Sequence, residues 1–126
     1  MRQERVLIVE DEENERSGLA EIVTSWGYRV EPASDGVEGL EKASQWSPSI
    51  VITDLKMPRM GGIELLGHLG EQVQTIAVVL VTAQGTIESA VQAMRMGAYD
   101  YLTKPIDIRE LLNVVDTMSS RPAESP

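Results

Sequence analysis

The sequence contains no cysteine and one histidine, and its apolar runs are short. Without cysteine, the chain has no disulfide bond, thiolate metal site, iron–sulfur cluster or thiol catalysis. A single histidine, His68, excludes a histidine-rich metal site. No apolar run approaches the roughly 20 residues of a membrane span, and the N-terminal MRQERVLIVEDEE is charged where a signal peptide is apolar. We therefore expect a cytoplasmic protein without membrane contact.

Positive charge is also scarce. The 126 residues include 11 lysines and arginines against 20 aspartates and glutamates, a formal net charge of −9. A surface of this sign repels nucleic-acid phosphates, so direct nucleic-acid binding is not expected. Hydrophobic residues make up 42% and charged residues 25% of the chain, near the globular average. The length suits one domain that buries roughly two-thirds of its unfolded surface.

Five apolar runs have the composition of β-strands. Val6–Glu10, Ile50–Asp54 and Ile76–Thr82 are continuous and rich in β-branched residues, as strands buried on both faces are. The runs Tyr28–Ala33, which contains a proline, and Asp100–Thr103 are weaker and are expected at sheet edges.

Stretches with helical periodicity alternate with these runs, which predicts a parallel sheet with helices on both faces. Two capping pairs are predicted, Asp35 with Glu38 and Asp107 with Glu110. Gly27 is predicted to follow the C-terminus of the first helix. The apolar stripes are interpreted as core: Leu19, Ile22, Val23 and Trp26; Val37, Leu40 and Ala43; Ile63, Leu65, Leu66 and Leu69; Ile87, Ala90, Val91 and Met94, followed by Gly97; Ile108, Leu111, Leu112 and Val115.

The methionines divide into two groups. Met94 is interpreted as a core residue of the fourth stripe. Met57, Met60 and Met96 are candidates for an adaptable partner surface, because methionine packs against varied shapes.

Polar side chains stand at the carboxyl ends of the strands. Glu10 and Asp11 follow the first strand, Asp54 ends the third, Thr82 ends the fourth and Lys104 follows the fifth. In an open parallel sheet these ends share one edge, where ligands bind. The sequence therefore predicts a site of three carboxylates, a hydroxyl and an ammonium.

Carboxylates brought this close repel one another by about 1 to 4 kcal/mol per pair. Protonation or a hard cation relieves this repulsion, and an oxygen-only ligand set favours Mg²⁺. A carboxylate nucleophile, a divalent cation, a hydroxyl and a lysine together indicate phosphoryl transfer to an aspartate. The neighbouring acidic residues are interpreted as a solvated loop and helix start: Glu12, Glu13 and Glu15.

Four segments, VLIVEDEE, VITDLKMPRMGG, VLVTA and YDYLTKP, resemble the receiver domains of bacterial two-component response regulators. The similarity extends from about Val6 to Met118. The segment TAQGTIESAVQAMRMGAYDYLTKPID is similar to the nitrogen-regulator (NtrC) subtype, whose members activate sigma-54-dependent promoters. The resemblance implies a single doubly wound, CheY-like α/β sheet of five parallel strands, order 2-1-3-4-5, with five helices. Residues 1–120 would form the receiver domain and 121–126 a linker or C-terminal tail.

The same resemblance implies a role for each residue of the predicted site. Asp54 would be the phosphoacceptor and a Mg²⁺ ligand. Asp11 would bind the ion directly, Glu10 through water, and Lys56 by its backbone carbonyl.

Three further residues would respond to the phosphoryl group. Thr82 would hydrogen-bond it, Lys104 would form an ion pair with it, and Tyr101 would be the aromatic residue whose rotamer tracks activation. Lys56 and Gln84 occupy positions that tune dephosphorylation in this family.

Such a domain accepts its phosphoryl group from a sensor histidine kinase. It is not an enzyme for other substrates, since it promotes only its own phosphorylation and dephosphorylation. It would act on an output through the face made by the fourth helix, fifth strand and fifth helix, and the same face could form a homodimer. If the chain is the front of a longer regulator, ATPase and DNA-binding domains would follow.

Other functions fit the residues less well. A haloacid-dehalogenase-like phosphohydrolase has a second aspartate where this chain has Lys56. A flavodoxin-like flavin binder needs a hydroxyl- and glycine-rich loop where this chain is acidic, and no GxxxxGK[ST] motif occurs. The remaining alternative is a degenerate receiver that acts as a phosphorylation-independent interaction module.

Overall fold

Parallel strands alternate with α-helices along residues 4–119, the part of the chain that this computed structural model describes. The strands are β1 (Arg5–Val9), β2 (Arg29–Ala33), β3 (Ile50–Thr53), β4 (Ala77–Thr82) and β5 (Asp100–Thr103). The helices are α1 (Glu13–Ser25), α2 (Gly36–Trp46), α3 (Gly62–Leu69), α4 (Ile87–Arg95) and α5 (Ile108–Ser119). The strand order β2-β1-β3-β4-β5 confirms the predicted α/β fold. The predicted tail, residues 121–126, lies outside the described residues.

The three central strands are buried along almost their whole length, as their continuous apolar runs predict. Every residue of β3 and β4 is buried, and in β1 all but Arg5 are. The weaker runs form the edges, as expected, with β2 pairing only with β1 and β5 only with β4. Pro32 lies in β2 opposite Ile8, where the missing N–H of an edge proline is tolerated.

The helices form a layer on each face of the sheet. One apolar cluster joins side chains of the sheet to α2, α3 and α4, with Leu7, Leu65 and Leu80 fully buried. The other joins the opposite face to α1 and α5, where Val23 and Leu111 are fully buried. The structure also has a short 3₁₀ helix, Gly70–Gln74, that the sequence analysis did not predict. In the described part of the chain, no helix has both the length and the apolar character needed to cross a membrane.

The helix ends follow the predicted chemistry with one difference. Asp35 caps α2, since its Oδ1 accepts from the Glu38 N–H at 2.9 Å. Glu38 does not complete a reciprocal capping box, because its carboxylate accepts from the N–H and hydroxyl of Ser34. Gly27 and Gly97 have φ values of 99° and 103° after α1 and α4, a left-handed conformation that glycine adopts without a steric penalty.

The second predicted cap and the α5 stripe are mostly as expected. The carboxylate of Asp107 accepts from the backbone N–H groups of Arg109 and Glu110 at the start of α5. Leu111 and Val115 are fully buried, whereas Ile108, at the beginning of the stripe, is 43% exposed.

The core assignment of the α4 stripe is wrong. Ile87 is 82%, Val91 43% and Met94 46% exposed, while Ala93 is fully buried. The helix packs its small side chain toward the sheet and turns the larger apolar side chains outward. Apolar periodicity identifies the helix but does not say which of two apolar faces approaches the sheet.

The methionines also differ from their predicted positions. Met94, expected in the core, lies on the outer face of α4. Met57, Met60 and Met96, expected to be available to a partner, are partly buried and pack against the cluster under α2 and α3. These three therefore contribute to the fold.

Candidate functional site

The carboxylates of Glu10, Asp11 and Asp54 meet at the carboxyl edge of the sheet. β1 and β3 are neighbours with Val9 opposite Thr53, and the Asp54 N–H donates to the Val9 carbonyl at 3.0 Å. One carboxylate oxygen from each acidic residue lies within 4.8 Å of the other two. Glu10 is buried, Asp54 is half-buried and Asp11 is exposed. The strand ends thus place the predicted acidic residues together.

Lys104 joins this acidic group from β5. Its backbone N–H donates to the Thr82 carbonyl at 3.0 Å, which continues the pairing of β4 with β5. Its Nζ lies 3.0 Å from Glu10 Oε1 and 3.2 Å from Asp54 Oδ2, and it also donates to Glu15 Oε1. An ammonium has three donors, so these three carboxylates use all of them. The Lys104–Pro105 peptide bond is cis, an isomer that the X-Pro sequence allows.

Burial and charge act in opposite directions on the ionisable groups of the site. Burial favours the neutral form of Lys104, but hydrogen bonds to Glu15 and Glu10 and the charge of Asp54 outweigh it and raise the lysine pKa. Burial also raises the pKa of Glu10, and hydrogen bonds from the Glu12 N–H and from Lys104 oppose this effect. Lys104 therefore remains a cation among carboxylates at neutral pH.

The loop between β3 and α3 is held close to Asp54 by two glycines. The Gly62 N–H donates to the Leu55 carbonyl at 2.8 Å. A Cβ on Gly62 would lie 2.3 Å from the Asp54 carbonyl oxygen, and one on Gly61 would lie 2.5 Å from that of Leu55. The Leu55 N–H donates to Asp54 Oδ1 at 2.6 Å, and the Thr53 hydroxyl donates to the Asp54 carbonyl at 3.0 Å. These contacts fix the backbone and one carboxylate oxygen of Asp54.

The remaining predicted residues lie around this centre. Thr82 is buried at the end of β4, and its hydroxyl accepts from the Gln84 N–H at 3.1 Å. The Tyr101 hydroxyl lies 2.8 Å from Ser89 Oγ, away from the carboxylates. Lys56 is exposed in the β3–α3 loop. The phosphoryl-contacting role of Thr82, the switch role of Tyr101 and the metal-binding role of the Lys56 carbonyl stay predictions.

Two residues of the site were missed in the sequence. Glu15, expected in a solvated helix start, instead contacts Lys104 with its carboxylate. Arg16 donates to the backbone carbonyls of Glu10 and Asp11 at 2.8 and 3.4 Å. Their place in the first turn of α1 could have indicated this role, because the N-terminus of that helix lies at the carboxyl edge of the sheet. Glu12 lies at the helix start as expected and caps α1, since its carboxylate accepts from the Glu15 N–H at 2.8 Å.

The ligand chemistry of this site fits a hard divalent cation. Glu10, Asp11 and Asp54 offer only oxygen donors, and at least one of their carboxylates is open to solvent. Oxygen ligands combined with room for water are what Mg²⁺ prefers. Lys104 pairs with three carboxylates, those of Glu10, Glu15 and Asp54, and Asp11 adds a fourth beside Glu10 and Asp54.

Comparison with known proteins assigns the chain to a class. Residues 6–116 match the response regulator receiver domain family, and the chain belongs to that family. The transcriptional regulatory protein ZraR of Klebsiella oxytoca is 35% identical over 123 residues, which cover 96% of this chain and 28% of ZraR. ZraR is an NtrC-like regulator, so the predicted likeness to that subtype is confirmed. The chain thus spans little more than a quarter of this relative.

Solved structures agree with the fold and with the class. A CheY-like response regulator receiver domain protein from Methanospirillum hungatei is 29% identical with a TM-score of 0.88, and the match covers 94% of this chain and 95% of that one. A chain of the CheX–CheY–BeF₃–Mg²⁺ complex from Borrelia burgdorferi is also 29% identical, with a TM-score of 0.86 and coverage of 94% and 90%.

Proposed function

We propose that this receiver domain is a phosphorylation-activated switch that accepts a phosphoryl group on Asp54 from a sensor histidine kinase. The observation that carries the proposal is the meeting of Asp54 with two further carboxylates and the Lys104 ammonium at one edge of the sheet. A degenerate receiver would not require this complete set of charged groups.

Glu10, Asp11 and Asp54, together with the Lys56 carbonyl, would hold Mg²⁺. When bound, the ion screens the carboxylates from the negatively charged oxygens of the incoming phosphoryl group. The Borrelia complex supports this assignment, since its components include CheY and Mg²⁺. The oxygen-only donor set of this chain supports it independently.

The chain's own residues would carry out the transfer. An Asp54 carboxylate oxygen attacks phosphorus and forms an O–P bond while the P–N bond of the kinase phosphohistidine breaks. The imidazole leaves with the electron pair of that bond and takes up a proton. Lys104 neutralises charge on the transferred group, and Thr82 would exchange its Gln84 contact for a hydrogen bond to a phosphoryl oxygen. The domain would promote only its own phosphorylation and dephosphorylation.

The output surface would be the face formed by α4, β5 and α5. Ile87, Val91 and Met94 expose apolar area on α4, and a phosphorylation-dependent homodimer through this face would cover it. By likeness to the NtrC-like subtype, the downstream parts would be ATPase and DNA-binding domains that regulate sigma-54-dependent transcription in the cytoplasm. Sedimentation before and after phosphorylation tests the dimer, and an Ile87→Asp variant should abolish it.

Intact-mass measurement after incubation with Mg²⁺ and a small phosphodonor tests the transfer. Wild type should gain one phosphoryl group, whereas Asp54→Asn should gain none. Asp11→Asn should be modified much more slowly, because it removes one carboxylate of the proposed metal site. Asp116→Asn is the matched control, since that carboxylate accepts from the Tyr28 hydroxyl, at the opposite, amino edge of the sheet, and it should be modified like wild type.

Two outcomes would contradict the proposal. A phosphoryl group retained on Asp54→Asn would overturn the choice of acceptor. No added mass in wild type, either with the phosphodonor or with phosphorylated kinases, would instead favour the phosphorylation-independent interaction module.

A further inference from the structure

We propose that Gly85 and Ser89 hold the Tyr101 side chain against the N-terminus of α4 and thereby set the equilibrium between its conformers. This inference rests on the proposed switch function and names the residues of this chain that position its switch tyrosine. We call the three residues the Gly85–Ser89–Tyr101 contact. Neither Gly85 nor Ser89 was singled out by the sequence patterns.

Ser89 connects the tyrosine to the cap of α4. Its Oγ lies 2.8 Å from the Tyr101 hydroxyl and 3.0 Å from the Thr86 N–H, which donates to it. The Ser89 N–H in turn donates to Thr86 Oγ1 at 3.0 Å, which completes a capping box. The tyrosine hydroxyl therefore hydrogen-bonds to the group that caps the helix, and a rotation of the ring removes one partner of that group.

Gly85 leaves the space that the tyrosine hydroxyl occupies. A Cβ at this position would lie 2.2 Å from Tyr101 Oη and 3.0 Å from both Cε1 and Cζ. Real Cβ atoms essentially never approach other atoms within 3.0 Å, so this conformer of Tyr101 requires glycine at position 85. The requirement is steric, because it comes from the ring and not from the backbone angles of the glycine.

The contact is connected to the phosphoryl-transfer site through a short loop. Thr82 accepts from the Gln84 N–H, and Gly85 is the next residue along the chain. If the Thr82 side chain rotates so that Oγ1 moves toward a phosphoryl oxygen, the Gln84 amide loses its acceptor and the loop is released. A displacement of residues 83–85 changes the space under Tyr101, so the loop can transmit the state of Asp54 to α4.

Nuclear magnetic resonance of the unphosphorylated protein with ¹³C-labelled tyrosine rings tests the proposal. The chain has three tyrosines, and Tyr101→Phe identifies the signals of Tyr101. In Ser89→Ala the equilibrium should shift away from the observed conformer by roughly three- to tenfold, the size of one net hydrogen bond. In Gly85→Ala the ring signals of Tyr101 should move further in the same direction.

A double-mutant cycle in the free energy of unfolding separates the tyrosine contact from helix capping. Ser89→Ala also weakens the cap, but this loss is the same in the Tyr101→Phe background, so the coupling between the two changes reports their mutual contact. Tyr28→Phe is the matched control, since the Tyr28 hydroxyl lies 2.9 Å from Ser119 Oγ, remote from α4. It should leave the Tyr101 signals unchanged.

The result that overturns the proposal is an unchanged Tyr101 equilibrium in both Ser89→Ala and Gly85→Ala. Zero coupling between Ser89 and Tyr101 in the cycle would overturn it as well. Because these measurements use unphosphorylated protein, their failure is distinguishable from a failure of Asp54 to accept a phosphoryl group. Melting temperatures of each variant establish that the fold is retained.

Discussion

The acidic site and the N-terminus of helix α4 lie at the same edge of the sheet, but the two regions are held in different ways. Glu10 and Asp54 follow central strands that are buried at their carboxyl ends. Backbone hydrogen bonds, ion pairs and the close approach of Gly62 fix their surroundings. α4 buries one alanine, Ala93, and exposes the larger apolar side chains of its stripe.

This difference matches the two tasks of the proposed switch. Transfer of a phosphoryl group requires groups that are already in place, because misplacement by even 1 Å is costly. A response transmitted to a partner requires an element that moves at small cost, and such elements are drawn from the least stable parts of a fold. The following predictions compare the two regions, beginning with the largest expected effect.

The first pair of substitutions removes a comparable apolar side chain from each region. Leu80→Ala, in β4 beside the Asp54 loop, should lower the free energy of unfolding by about 3 to 5 kcal/mol, because Leu80 is fully buried. Ile87→Ala on α4 should change it by less than about 0.5 kcal/mol, because Ile87 is 82% exposed. Urea unfolding measures both. Equal losses would show that α4 is as firmly packed as the sheet.

The sequence predicts these two regions unequally for a physical reason. A continuous β-branched run specifies a buried strand, and the residue after it must lie at the carboxyl edge, so Glu10 and Asp54 could be placed from local composition. The orientation of α4 depends on which face fits the sheet, and the small Ala93 allows the closer approach. The contact of Glu15 with Lys104 joins distant parts of the chain, and local patterns do not encode such a distance.

A second pair tests whether the backbone around Asp54 is held tightly. Gly62→Ala places a Cβ 2.3 Å from the Asp54 carbonyl oxygen, so we expect a loss of about 2 to 3 kcal/mol and slower phosphorylation of Asp54. Gly18→Ala, within α1, meets no atom within 4 Å. It should stabilise the protein by about 0.5 to 1 kcal/mol, because alanine favours helix. Thermal unfolding and intact-mass kinetics measure the two effects. A Gly62→Ala variant as stable as wild type would show that the loop adapts easily.

Asp35, which caps α2 and pairs with Arg59 of the β3–α3 loop, supplies a test by pH. The hydrogen bond from Arg59, followed by that from the Glu38 N–H, lowers the pKa of Asp35 below its ordinary value. Its stabilising effect is therefore fully present above about pH 4, the ordinary pKa of aspartate, and is lost as the pH falls through the lower folded pKa. Asp35→Ala should cost about 1 to 2 kcal/mol at pH 7, as loss of an N-cap does, and less below pH 4. A difference that stays constant down to pH 2 would contradict this assignment.

The smallest effect on stability is expected at Glu15, which belongs to the acidic site but has an exposed side chain. Its side chain is 47% exposed, so Glu15→Gln should change the free energy of unfolding by less than about 0.5 kcal/mol. The substitution replaces a charged acceptor of Lys104 by a neutral amide oxygen, which holds the ammonium less strongly, and removes negative charge from the site. Phosphorylation by an anionic donor should accordingly become about two- to threefold faster, a difference that decreases as salt screens the remaining charge.

Glu13→Gln is the control for this last prediction. It removes the same charge from the same turn of α1, while the three donors of Lys104 remain with Glu10, Asp54 and Glu15. If both variants accelerate phosphorylation equally, long-range charge accounts for the effect and the Lys104 contact does not. If Glu15→Gln alone is faster, the carboxylate of Glu15 competes with the phosphoryl group for the lysine. In that case the Lys104 ammonium would be the group of the acidic site that changes its partners, while the backbone around it stays fixed.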